Sequence, residues 1–370
     1  MNQRRIILPR RFGRRKFVQY GSLAAGAGIL AACGSSTTIE SPTDAAPDDT
    51  AATPAEDTSA SGELTQVTYG TNWYAQAEHG GFYQAVATGI YEEHGLDVTI
   101  EMGGPQVNGT QLLMGGAVDF FMGYGSDALQ AIAESIPKVT VASIFQKDPQ
   151  ILIAHPDQGI ANLEDLQGKP IFISAAANVT YWPFLAAKYG FTEDMKRTYD
   201  FNPGPFLNDT NSVQQGYLSS EPLTIEKEGG FAPVVFLLAD YGYDPYSTTI
   251  ETRRELVDSD PDLVQRFVDA SIKGWYSYLE DDPTPGNDLI KEANPEMTDE
   301  QIAYGIEKMK EYGIVVSGDA ETQGIGAMTD ARWKSFFDTL VEAEVASADM
   351  DYTQAFSLDF VNKGAEYYRG

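Results

Sequence analysis

An amide and two aromatic rings stand together at Asn72-Trp73-Tyr74, and His79-Gly80-Gly81-Phe82 soon afterwards sets an imidazole ahead of a glycine pair. Trp73 and Tyr74 offer π-faces to a flat heterocycle, and Asn72 offers both a donor and an acceptor to its edge; the competing use of either ring is to pack a core. At a helix start, His79 and the free amides of Gly80 and Gly81 can meet a ligand carbonyl. Helix capping, or support behind the ligand, is the other use of His79. Covalent chemistry finds less to work with: there is no Gly-x-Ser-x-Gly elbow, no phosphate loop and no His-Glu-x-x-His. The three histidines, His79, His94 and His155, are widely spaced, and Cys33 is the single cysteine, so a soft-metal centre is not expected. The chain reads as a binder rather than an enzyme, with no catalytic residue, no metal and no cofactor.

Further candidates follow other strand-like runs. Gly103-Gly104-Pro105-Gln106 would let backbone approach a ligand, with Gln106 as its polar contact, although it also serves as a plain turn. Tyr124 precedes Gly125-Ser126-Asp127, where Ser126 is a ready helix N-cap. Asn178, Tyr181 and Trp182 join a strand to a helix and supply an amide and an aromatic wall. Tyr217 and Glu221 offer a phenol and a carboxylate to the polar part of a ligand, and Tyr241, Tyr243 and Tyr246 add three phenols. Flat apolar walls with a few placed polar groups suit a small aromatic ligand.

The elements that must position these residues alternate. Strand-like runs at 67–70, 98–101, 119–122 and 139–145 are separated by helix-like segments at 79–93, 109–115 and 126–135. That alternation predicts βαβ units and a mainly parallel sheet, with ligands beyond the carboxyl ends of its strands. Asn162 to Ser174 restarts the pattern as a second α/β domain. Val234 to Leu238 is a strand that returns the chain to the first domain, Thr248 to Glu251 adds a strand there, and 262–280, 298–312 and 330–344 are helical. The expected domains are 64–155 with 245–370, and 156–244.

The N-terminus sets the compartment. Seven basic residues within positions 1–16 precede a short run rich in Gly and Ala, an export signal rather than a membrane span. Leu30-Ala31-Ala32-Cys33 places the cysteine where a lipid anchor would be attached, and 34–63 has the composition of a disordered acidic tether. Removing the signal takes the formal charge from −29 to −36, a field that repels nucleic acid and disfavours polyanions. The expectation is a monomer tethered to the outer face of a membrane.

The segment from Asn72 through His79-Gly80-Gly81-Phe82 to Gly95-Leu96-Asp97-Val98 resembles the start of ABC-importer substrate-binding proteins of the thiamine-pyrimidine-precursor class. Leu113 to Gly123 and Leu163-x-Asp165-Leu166-x-Gly168-Lys169 extend the likeness, which runs from about Gln66 to about Tyr278. The resemblance implies a periplasmic-binding-protein type II fold: α/β, two domains joined by a two-strand hinge, with a ligand cleft between them. Within that class the likeness is greatest to riboflavin-binding lipoproteins, which implies riboflavin as transported ligand and a membrane permease as partner. A thiamine pyrimidine precursor or a sulfonate is the alternative ligand; an exported enzyme of pyrimidine metabolism is the alternative of another kind. Eukaryotic relatives that make the pyrimidine carry clustered cysteines, which this chain lacks.

Overall fold

The computed structural model describes residues 63–104 and 107–369. Cys33, the export signal, nearly all of the tether and Gln106 lie outside the described residues. Among the described residues ten strands form two five-stranded sheets, each the centre of a lobe. In the first, β1 (Thr65–Gly70), β2 (Leu96–Glu101), β3 (Phe120–Gly123), β4 (Lys138–Phe145) and β10 (Ser247–Arg253) take the order β2-β1-β3-β10-β4. In the second, β5 (Gln150–Ala154), β6 (Ile171–Ile173), β7 (Lys196–Thr198), β8 (Val213–Tyr217) and β9 (Val234–Leu237) take the order β7-β6-β8-β5-β9.

The two orders are the same arrangement built twice. β1 is parallel to β2 and β3, and β10 runs antiparallel between β3 and β4. Likewise β6 is parallel to β7 and β8, and β5 runs antiparallel between β8 and β9. In each sheet the reversed strand is the one that arrives from the other lobe. Two corrections to the sequence reading follow. Gln150–Ala154 belongs to the second sheet, although its continuous apolar run sits within the stretch given to the first domain. Val234–Leu237 stays in the second sheet, and the return to the first is made by β10. A buried apolar strand does not reveal its sheet, because burial on both faces looks alike everywhere.

The chain crosses between lobes at 146–149 and at 238–246. Arg332 ties the crossings together: it donates to the Gln146 carbonyl, reaches Asp244 Oδ2 at 3.2 Å and lies over the Tyr246 ring at 4.5 Å. Behind the first lobe runs the long helix Pro261–Glu280, capped where Asp260 accepts from the Leu263 amide. Its apolar stripe of Val264, Phe267, Val268, Trp275 and Tyr278 is buried. The helix Gly80–Ala87 lies directly on it: a β-carbon at Gly80 would meet the Tyr278 ring at 2.0 Å, and one at Gly81 would meet Trp275 at 2.2 Å. The glycine pair therefore serves helix packing; the Gly80 amide donates to the Ala77 carbonyl, and neither glycine lines the cavity between the lobes. Among the described residues no helix is long and apolar enough to cross a membrane.

Candidate functional site

A cavity of about 170 Å³ opens between the lobes, beyond the carboxyl ends of β1, β3, β6 and β8. The first lobe supplies Asn72 and Trp73 from the turn after β1, then Gln76, Glu78 and His79 from the turn before the first helix. Tyr124 and Asp127 come from the end of β3 and the helix Gly125–Ala133. The second lobe supplies Ser174, Tyr181, Gln215, Tyr217 and Glu221, and the crossings add Asp148 and Tyr243. The turn after β1 is held by Thr71, which donates to the Trp73 carbonyl at 2.8 Å and accepts from the Gly103 amide at 3.0 Å. A β-carbon at Gly103 would strike the Thr71 carbonyl at 2.0 Å, so that glycine admits the neighbouring turn, while Gly104 faces the cavity.

The lobes touch around this space. The Tyr124 and Tyr217 hydroxyls are 2.6 Å apart, and the Ser219 hydroxyl of the second lobe donates to Glu78 of the first. The Trp73 ring meets Phe201 edge-on at 4.0 Å between centroids. Gln215 is locked by two bonds to its side-chain oxygen, from the Ser174 amide at 2.6 Å and the Tyr181 hydroxyl at 2.8 Å. Its amide nitrogen is then the group left for a ligand carbonyl.

The electrostatics are one-sided. Burial pushes Glu78 up to about 7, against the lowering pull of its Ser219 bond, and pushes Asp148 up to about 7 and Asp127 up to about 6. Glu221 is raised by the same cause, held back by the Tyr217 amide, which donates to it at 2.7 Å. Burial drives His79 down to about 3, so its ring is neutral, and its Nδ1 has no partner. Among the described residues no lysine or arginine lines the cavity, and no three acidic or histidine groups converge as metal ligands.

Of the residues singled out in the sequence, Asn72, Trp73, His79, Tyr124, Tyr181, Tyr217 and Glu221 line the cavity. Tyr74 lies outside it, 40% exposed, with its ring edge-on to Trp73 and Phe201. Asn178 is exposed, donating to the Ala175 carbonyl at 3.0 Å and accepting from Lys196 at 2.7 Å. Trp182 is buried behind the cavity wall against Phe191, its indole N–H donating to Glu193 at 3.2 Å. Tyr241 lines a separate groove with Tyr304 and Tyr312. The helix after β3 has Tyr124 at its N-cap position with no side-chain cap, and Ser126 falls inside its first turn. Sequence reasoning missed Glu78, Asp148 and Gln215. Glu78 and Asp148 were hidden by 54 acidic residues that make any one acid look like surface, and Gln215 carried no motif.

Comparison with known proteins agrees with this geometry. The profile of the family described as NMT1/THI5 like matches residues 76–284. Riboflavin-binding protein RibY of Chloroflexus aurantiacus is 25% identical over 310 residues, 82% of this chain and 88% of its own. The formylaminopyrimidine-binding protein of Halalkalibacterium halodurans is 24% identical, over 68% of this chain and 80% of its own. A relative named 4-amino-5-hydroxymethyl-2-methylpyrimidine phosphate synthase, of Legionella pneumophila, is 22% identical over 63% of this chain and 75% of its own. The periplasmic aliphatic sulphonate binding protein SsuA of Escherichia coli superposes with a TM-score of 0.56 at 12% identity, covering 78% of this chain and 91% of its own. With two matching lobes and a cleft at their strand ends, the chain has the periplasmic-binding-protein type II fold and belongs to the NMT1/THI5-like family.

Proposed function

We propose that this protein is the extracytoplasmic solute-binding component of an ABC importer, and that its ligand is riboflavin, delivered to a membrane permease. The observation that carries the reading is the cavity lining: Trp73 and four tyrosines beside amides and buried acids, with no cation among the described residues. A flat uncharged ring gains from aromatic walls and from the Gln215 and Asn72 amides. A sulfonate would enter a space that holds four acids and offers it no counter-charge, which argues against that ligand. The RibY relative supports the flavin.

A second reading has its own observation. At about 170 Å³ the enclosed space is smaller than the roughly 300–1,000 Å³ common for ligand pockets. A single substituted pyrimidine ring fits it as it stands, whereas a tricyclic ring with a polyol chain requires the lobes to part. The test is the visible absorption of the purified protein after mixing with riboflavin and desalting, with fluorescence quenching titrated alongside. Retained yellow colour at one flavin per chain is expected. No retention by correctly folded protein rejects the flavin in favour of the aminopyrimidine, and recovery of a chemically altered ligand would revive an enzyme of pyrimidine metabolism.

A further inference from the structure

Two of the cavity's acids occupy mechanical positions. Glu78 stands where the first lobe meets the second and takes its hydrogen bond from Ser219 across the gap. Asp148 stands within the first crossing, where one of its oxygens accepts from the Gln150 amide at 3.2 Å. Both are almost completely buried, at 3% exposure each. A buried carboxylate needs a cation or several donors to remain charged.

Among the described residues neither acid has a cation. The ionisable groups acting on Glu78 are Glu221 and Tyr217 from the second lobe and Tyr278 from the long helix. Those acting on Asp148 are Asp244 and Tyr243 from the second crossing, Asp127 and Tyr124 from the first lobe, and Tyr181 and Tyr217 from the second. The nearby cations are committed to other acids: Lys138 to Glu251 at 2.7 Å, Arg332 to Asp244 at 3.2 Å and Lys147 to Asp240 at 2.8 Å. His79, the remaining basic group at the cavity, is kept neutral by burial, and its Nδ1 has no hydrogen-bond partner.

We propose that closing of the two lobes is coupled to proton uptake, with Glu78 at the meeting edge and Asp148 in the crossing as the groups that take the protons. The inference rests on reading this cavity as the ligand site, but on no particular ligand. Parting the lobes removes Ser219 from Glu78 and replaces it with water, and wets Asp148 as the crossings bend. Hydration stabilises the charged form, so both acids hold protons more tightly in the closed state than in the open one. Linkage fixes the sign: the state that binds more protons gains as pH falls. Both groups are raised to about 7, so acidification from pH 8 to pH 6 favours the closed state, and that advantage is lost as pH rises through 7. An uncharged ligand is bound more tightly at pH 6 than at pH 8, whereas a cationic ligand supplies the missing charge itself and shows the opposite trend.

Two measurements on the full chain decide it. Small-angle X-ray scattering of the ligand-free protein should give a smaller radius of gyration at pH 6 than at pH 8. Glu78→Gln and Asp148→Asn should each flatten that dependence, because they retain hydrogen bonding without a titrating charge. Titration calorimetry with riboflavin at pH 7.5, in two buffers of different protonation enthalpy, should show net uptake of about half a proton and affinity falling about fourteenfold between pH 6.5 and pH 8, as two groups near 7 in the closed state require. Equal heats in both buffers with a flat affinity would overturn the coupling. Absence of any riboflavin heat would defeat the flavin reading alone; scattering then decides, and a radius unchanged between pH 6 and pH 8 overturns the coupling whatever the ligand.

Discussion

The two lobes share a strand order and differ in what stands behind it. The first sheet is backed by the long helix Pro261–Glu280, whose buried face holds the Gly80–Ala87 helix and, through it, the turn carrying Glu78 and His79. The second lobe has no helix of that length, and its cavity residues ride on short elements such as Tyr181–Tyr189 and Glu221–Gly229. One lobe is a platform backed by a long helix and the other a lighter jaw. The same topology can therefore be loaded unequally, and substitutions at matching places should fail in different ways.

The sharpest contrast is between two tryptophans. Trp182 in the jaw is 2% exposed and packs away from the cavity, so Trp182→Ala should cost roughly 3–5 kcal/mol of stability and leave riboflavin affinity nearly unchanged in the folded fraction. Trp73 on the platform is only part-buried and faces the cavity. Trp73→Ala should weaken riboflavin binding at least tenfold, about 1.4 kcal/mol, with little change in the melting temperature of the empty protein. Denaturant melts and equilibrium titrations of both variants check this. A large loss of stability in Trp73→Ala would make it a core residue and erase the contrast.

The platform itself is tested at Gly81. A methyl group there runs into Trp275, which is fully buried and cannot withdraw. Gly81→Ala should therefore destabilise by about 1–3 kcal/mol or more, read as a lower denaturant midpoint at unchanged slope. Asn178→Ala, on the exposed surface of the jaw, should stay within about 0.5 kcal/mol of the parent.

These contrasts also explain how far the sequence could be read. Strand ends were legible because apolar runs followed by Gly, Asn or Ser mark where a parallel sheet delivers its chain to the cleft, and Asn72, Trp73, Tyr124 and Tyr181 came from such places; Tyr217 did not, because its strand Val213–Tyr217 carries two glutamines and a glycine instead of an apolar run. Facing was not legible. Along a helix each residue turns about 100° from the last, so Tyr181 enters the cavity while Trp182 beside it goes to the core. The His79-Gly80-Gly81 stretch split for a related reason: His79 ends one turn facing the space, and the glycines begin a helix pressed on Trp275 and Tyr278. Glu78 and Asp148 depend on contacts between segments far apart in the chain, and no local pattern encodes that.

A modest effect is the most specific to the meeting of platform and jaw. Tyr124 and Tyr217 share one hydrogen bond across the cleft, 2.6 Å between hydroxyls. Removing either hydroxyl should cost about 1 kcal/mol of closed-state stability, and because the bond is shared the two single losses should be equal. Tyr124→Phe and Tyr217→Phe should each speed riboflavin release about fivefold, with melting temperatures close to the parent. In the double variant no bond remains to be lost a second time, so release should be no faster than in either single variant, giving a coupling energy close to the single effect. Additive losses in that cycle would mean that each phenol meets the ligand on its own account, making the two tyrosines independent contacts instead of a latch between unequal halves.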